Sequence, residues 1–139
     1  MFNVKLGTNA ANSIKIYNVS VWHKAASIHR IVRVHTVNGG YEGKEESIES
    51  WTEIASGKVP KRHFVSTITL DQPLIINAGE TVGFYLKSEE DIMFAGKVSN
   101  TEIIYDNNVK LEYGMAIVNG LFTESYSWSG SVEYEIVDN

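Results

Sequence analysis

The sequence predicts an all-β domain, an antiparallel β-sandwich of jelly-roll type with about nine or ten strands. Three observations predict it. Turn signals recur at short intervals, at Gly7-Thr8-Asn9, Asn38-Gly39-Gly40, Asn77-Ala78-Gly79-Glu80, Asp106-Asn107-Asn108 and Asn119-Gly120. Asn and Gly accept the positive φ that tight hairpins require, so these positions mark strand ends for a physical reason. The segments between them are rich in Val, Ile, Thr, Tyr and Phe, which fit a pleated, half-buried surface. Several segments also alternate with period two, so that one face can be turned inward.

The segments run in order: "FNVKL", "SIKIYNVSVW", "SIHRIVRVHTV", "FVSTITL", "PLII", "TVGFYL", "DIMFAG", "KLEYGMAIV" and "SVEYEIV". In the second, Ile14 and Ile16 share one parity and Val19 and Val21 the other, which predicts a bulge or bend near Tyr17-Asn18. In the third, Ile28, Val32 and Val34 read inward, whereas His29, Arg33 and His35 read outward. Val82, Phe84 and Leu86 form one face of "TVGFYL"; Val132, Tyr134 and Ile136 form one face of the last strand. Tyr126 and Trp128 share a parity that continues to Val132 and Tyr134 unless Gly130 inserts a bulge. Pro60 and Pro73 fall where loops or strand starts are expected. Helix has little support beyond one turn in "GKEESIESW".

Composition narrows the classes of function. A chain of 139 residues, 43% hydrophobic and 21% charged, reads as one globular domain spanning residues 1–139. A net charge of −5 argues against a partner that is nucleic acid, and it offers no attraction to an anionic membrane. No apolar run approaches the roughly 18 residues of a membrane helix, so insertion is not expected. The absence of cysteine removes disulfides, thiol catalysis and thiolate metal sites, and leaves the redox compartment undetermined. The first residues, "MFNVKLGTNA", do not have the pattern of a secretory signal.

Three groups of residues across the chain resemble a known family. They are the loop with Gly40, Tyr41, Gly43 and Trp51, the hairpin with Gly79, Glu80, Thr81 and Tyr85, and the final Trp128, Gly130 and Tyr134. The order is similar to that of a largely uncharacterised β-sandwich module of bacterial secreted and surface proteins. The resemblance implies the sandwich fold, an extracellular or cell-surface setting and framework roles for Tyr41 and Trp51. It implies no activity and brings no catalytic residues.

There is no Gly-x-Ser-x-Gly motif and no phosphate-cradling glycine loop, and the four histidines lack metal-ligand spacing. His29 and His35 share a strand face but stand roughly 20 Å apart. With 17 acidic residues, no pair of carboxylates stands out as a glycosidase pair. The sequence therefore reads as no enzyme, with no cofactor and no metal. The unusual stretch is "HTVNGGYEGKEESIESWTEI", His35 to Ile54, where an acidic loop is bracketed by Tyr41 and Trp51. Those two aromatics either form a stacking platform for a sugar or bury their rings to pin the loop, and the second is favoured. Trp22, at the end of a strand beside His23 and Lys24, is the freest candidate for an exposed contact.

The expected function is a non-catalytic binding or adhesion module, acting through end loops or a sheet face on carbohydrate or protein. Trp22, Tyr41 and Trp51 are the candidate binding residues. A structural protein that self-assembles through strand edges, as a homo-oligomer, stands close behind. A hydrolase on a sandwich scaffold comes third.

Overall fold

The computed structural model describes residues 1–8, 10, 12–23, 29–60, 64–88, 95–97, 103–105, 109–112, 114–118, 121–128 and 130–138. Twelve strands lie among them: β1 (Phe2–Leu6), β2 (Ser13–His23), β3 (Arg30–Asn38), β4 (Thr52–Val59), β5 (Phe64–Ile76) and β6 (Thr81–Ser88), then β7 (Ala95–Lys97), β8 (Ile103–Tyr105), β9 (Val109–Glu112), β10 (Gly114–Val118), β11 (Leu121–Trp128) and β12 (Gly130–Val137). One six-stranded sheet has the order β4-β3-β6-β1-β9-β8, and a three-stranded sheet the order β12-β2-β5. A third ladder joins β10, β11 and β7. All pairings are antiparallel. The chain alternates between the first two sheets, β1 to β2 and β5 to β6, as an antiparallel sandwich of jelly-roll type requires.

One continuous core joins the two sheets. Phe2, Val4, Leu6, Val32, Val34, Ala55, Val59, Val82, Phe84 and Leu86 come from the larger sheet; Ile14, Ile16, Val19, Val21, Ile68, Leu70 and Ile76 come from the smaller. Phe2 and Phe84 stack across β1 and β6 with ring centroids 5.2 Å apart and planes within 7°. Gly57 lets the sheets close, because a Cβ there would stand 2.9 Å from Ile68 Cγ1. Alternation thus places the faces as the sequence predicts for β3 and β6, although Ile28 lies outside the described residues.

The phase change in β2 is a bulge. Asn18 and Ile16 pair with consecutive residues of β12, Glu133 and Tyr134, so Tyr17 is the extra residue. On the other side, four residues of β5, Leu70 to Pro73, face the same gap between Ile16 and Asn18. This irregularity lets both Ile14–Ile16 and Val19–Val21 reach the core from one strand. It also accommodates Pro73 inside an edge strand, where its missing N–H breaks no ladder bond.

The segments divide differently from expectation in several places. "FVSTITL" and "PLII" form the single 13-residue β5, and "KLEYGMAIV" splits into β9 and β10. β4, "TEIASGKV", was not among the alternating segments, because Ala, Ser, Gly and Lys are poor strand formers. Pairing with β3 and packing on Ile68 make it a strand. Tyr126 and Trp128 belong to β11 in the third ladder, and Val132 and Tyr134 to β12, so the expected aromatic stripe is divided between two strands of different sheets. Ile136 shares parity with Val132 and Tyr134 but is half exposed, because it lies at the end of a strand paired on one side only among the described residues. The turns at 106–108 and 119–120 lie outside the described residues.

The α-amine of Met1 is buried where β1 begins, and desolvation lowers its pKa from 8.0 to about 5. Between those values the unfolded chain binds a proton that the folded chain does not, so stability rises with pH. The expected slope from pH 5 to pH 8 is on the order of 1 kcal/mol per unit. Denaturant midpoints measured at half-unit steps check this; a flat profile would refute it.

Candidate functional site

The loop between β3 and β4 is built on three glycines with positive φ, Gly39 (81°), Gly40 (91°) and Gly43 (76°). It folds back over the outward face of the six-stranded sheet. Gly83 makes that possible: a Cβ there would lie 2.7 Å from the Tyr41 nitrogen and 2.9 Å from the Gly40 carbonyl carbon. Beneath the loop, Asn3 is only 2% exposed. Its Nδ2 donates to both carboxylate oxygens of Glu42 at 2.8 and 3.0 Å and more weakly to Glu112 Oε2 at 3.4 Å, while Oδ1 accepts from the Tyr41 amide at 3.0 Å. Lys44 Nζ donates to the carbonyls of Asn38 and Gly40.

The far end of the loop is tied as firmly. Residues Ile48–Ser50 form a short 3-10 turn, the single turn that the sequence allows. Trp51 Nε1 donates to the Lys44 carbonyl at 2.9 Å, and its ring meets Tyr85 edge-on at 5.7 Å. Tyr41 packs against β10, since a Cβ on Gly114 would come within 2.8 Å of Tyr41 Cε1. Tyr41 and Trp51 therefore hold the loop on the sheet, whatever else they do. Of the loop glutamates, Glu42 is engaged by Asn3, and Glu46 and Glu49 are exposed. Among the described residues no group of three or more His, Asp or Glu side chains is arranged to hold a metal ion.

Next to the loop, a polar row crosses three strands on the outward face. Register sets Glu53, His35 and Tyr85 side by side. His35 stands 5.8 Å from the Tyr85 ring centre, and its Nε2 is 3.8 Å from Glu53, which also pairs with Arg33 at 3.0 Å. Burial raises the Tyr85 pKa above its ordinary value of 10.0. Outward placement of His29, Arg33 and His35 agrees with their parity in the sequence.

Trp22 lies elsewhere. It is on the outward face of the three-stranded sheet, 55% exposed, between buried Val21 and His23. Val65, 51% exposed, is its direct partner on β5. Alongside, Ser20 and Thr67 share a hydroxyl hydrogen bond of 2.9 Å, and Asn18 Nδ2 donates to Glu133 at 2.6 Å. His23, 1% exposed, turns inward and bonds Ser66 Oγ through Nε2 at 2.8 Å, which fixes the backbone under Trp22.

The three candidate residues are thus not one site. Tyr41 and Trp51 belong to the loop over the larger sheet, and Trp22 to the outer face of the smaller. Residues missed by sequence reasoning are Val65, Lys58 and Lys87, whose exposed positions follow from strand parity once β4, β5 and β6 are placed. No helix among the described residues is long and apolar enough to cross a membrane. Comparison with protein-family models and with curated proteins finds no match for this chain.

Proposed function

We propose that this chain is a non-catalytic binding or adhesion module that engages carbohydrate or protein through the end of the sandwich carrying Trp22. The observation that carries the reading is the exposure of Trp22 beside Val65, with the polar side chains of Thr67, Asn18 and Glu133 on the same sheet face. An indole standing clear of the sheet gives a flat apolar surface with hydrogen-bonding groups around it, which suits a sugar ring or a protein side chain. Tyr41 and Trp51 have lost much of that freedom to the loop. Glu42 and Glu112, two carboxylates that approach a common point, meet on the Asn3 amide rather than across a cleft, which supports a non-catalytic role. The resemblance to modules of bacterial surface proteins fits the same reading.

Trp22→Ala is the test. Because the side chain is largely exposed, the thermal midpoint should stay within a few degrees, while affinity for glycans on an array or for captured protein ligands falls roughly tenfold or more. A folded variant that binds as well as the parent would remove the reading. A second reading, self-assembly, draws on β12: it carries no Pro or Lys, and among the described residues it pairs only with β2. Light scattering across a wide concentration range separates the two, since a binding module stays monodisperse and an assembler grows.

A further inference from the structure

β2 is the middle strand of its sheet, with β12 on one side and β5 on the other. From Asn18 to Trp22 its pairing with β5 runs without a break, from Thr69 to Val65, and β12 keeps step from Glu133 to Gly130. Val19 and Val21 point into the core, so Asn18 and Trp22 point out. Register places Thr69, Thr67 and Val65 of β5 and Glu133 of β12 on the same outward face. Four residues of strand cover roughly 13 Å, and three strands lie across about 10 Å. A single extended chain fits a strip of that size.

The strip has one stacking surface and a set of hydrogen-bonding groups already held in place. Trp22 and Val65 form its apolar end. Asn18 Nδ2 donates to Glu133 Oε2 at 2.6 Å, and Thr67 shares a hydroxyl hydrogen bond of 2.9 Å with Ser20 beneath it. Each pair still has acceptors to offer, in the second carboxylate oxygen of Glu133, Asn18 Oδ1 and the Thr67 hydroxyl. Groups fixed by one another lose little freedom on binding. Beyond Asn18 the strip closes at the bulge, where the Tyr17 hydroxyl donates to Glu135 and Lys15 Nζ lies 5.1 Å from the Tyr17 ring centre. Tyr17 is thereby tied to the protein, and Trp22 is the ring that stands open on this face among the described residues.

We infer that this strip takes an uncharged, extended polysaccharide, with one sugar ring stacked on Trp22 and the following units hydrogen-bonded along Thr67, Asn18, Thr69 and Glu133. This rests on the binding-module reading and narrows it to a ligand class. The make-up of the strip favours that class over a protein. The centre of a protein interface is depleted of charge, whereas this strip beyond Trp22 and Val65 consists of hydroxyls, an amide and a carboxylate, which match sugar hydroxyls. The charge on the face disfavours a polyanion. Glu133 and Glu135 stand there against Lys15, which already lies 3.8 Å from Glu135, in a chain whose net charge is −5.

The experiment titrates the 139-residue chain by calorimetry with soluble xyloglucan, mixed-linkage β-glucan and galactomannan, and with polygalacturonate as the polyanion. A neutral polysaccharide should bind and polygalacturonate should not, and raising salt from about 50 to about 500 mM should change the affinity by less than about twofold. Trp22→Ala should weaken binding roughly tenfold or more, and Trp22→Phe should retain most of it. Asn18→Ala and Thr69→Val should each weaken it roughly threefold to tenfold, whereas Lys110→Ala, exposed on β9 of the other sheet, should leave it unchanged. Circular dichroism checks that each variant is folded. Neutral-glycan binding that needs Trp22 but ignores the combined Asn18→Ala and Thr69→Val change would overturn the strip and leave the binding module standing. Tighter, salt-sensitive binding of polygalacturonate would overturn the ligand class. Silence toward every neutral polysaccharide would overturn the inference. Protein capture that is lost in Trp22→Ala would then still uphold the module reading, and capture unaffected by that change would remove it too.

Discussion

Replacing Phe84 with alanine is expected to lower the free energy of unfolding by about 3–5 kcal/mol, the usual range for emptying a fully buried aromatic site. Phe84 has no exposed surface and stacks on Phe2. It is also placed where collapse is hardest. β6 is flanked by β1 and β3, with Phe84 opposite Phe2 on one side and Thr36 on the other, so the backbone on both sides is held by ladder bonds. The surrounding residues cannot close the void without breaking those ladders. A domain is stable by only about 5–15 kcal/mol, so this one change removes a large fraction of the total. Urea unfolding of the variant should show a lower midpoint with an unchanged slope. A loss under about 1 kcal/mol would mean that the two sheets do not pack as described.

Gly83→Ala should cost about 1–3 kcal/mol, the usual effect of overfilling a packed site, and its effect should be local. The added methyl meets main-chain atoms of Gly40 and Tyr41 at under 3 Å, and Val37 Cγ1 at 2.9 Å. Backbone cannot swing aside as a flexible side chain does, so the loop must lift. Lifting it uncovers Asn3 and parts the Glu42 and Tyr41 hydrogen bonds. Hydrogen exchange reads this directly: the Tyr41 and Lys44 amides should lose protection while the β1–β6 ladder amides keep theirs. The variant also separates the two ends of the molecule. Because the loop and Trp22 lie on different sheets, Gly83→Ala should leave ligand binding at the Trp22 end intact. Loss of binding together with loss of loop protection would move the site to the loop.

Much of the sandwich was legible because strand patterning is local. Val82, Phe84 and Leu86 face inward by simple alternation, and the parity break in "SIKIYNVSVW" announced its bulge before any partner was known. β4 was not legible. Its residues carry weak propensity, and what makes it a strand is a neighbour, β3, and an opposing side chain, Ile68. The split between Trp128 and Gly130 was likewise hidden, since parity runs on through a junction where the chain changes sheets.

The sequence by itself determined the all-β class, the inward faces of the main strands and the single turn in the acidic loop, and it marked Trp22 as the freest candidate for an exposed contact. Each depends on interactions within a few residues: alternation, turn chemistry or position at a strand end. Tertiary structure alone decided that Asn3 would be buried under Glu42, that Trp51 would bond the Lys44 carbonyl, and that Arg33 would face Lys87. Those pairings join residues from separate strands or from the two ends of a loop, and no local pattern encodes which strands become neighbours. The choice is made by the register that lets both sheets bury one core.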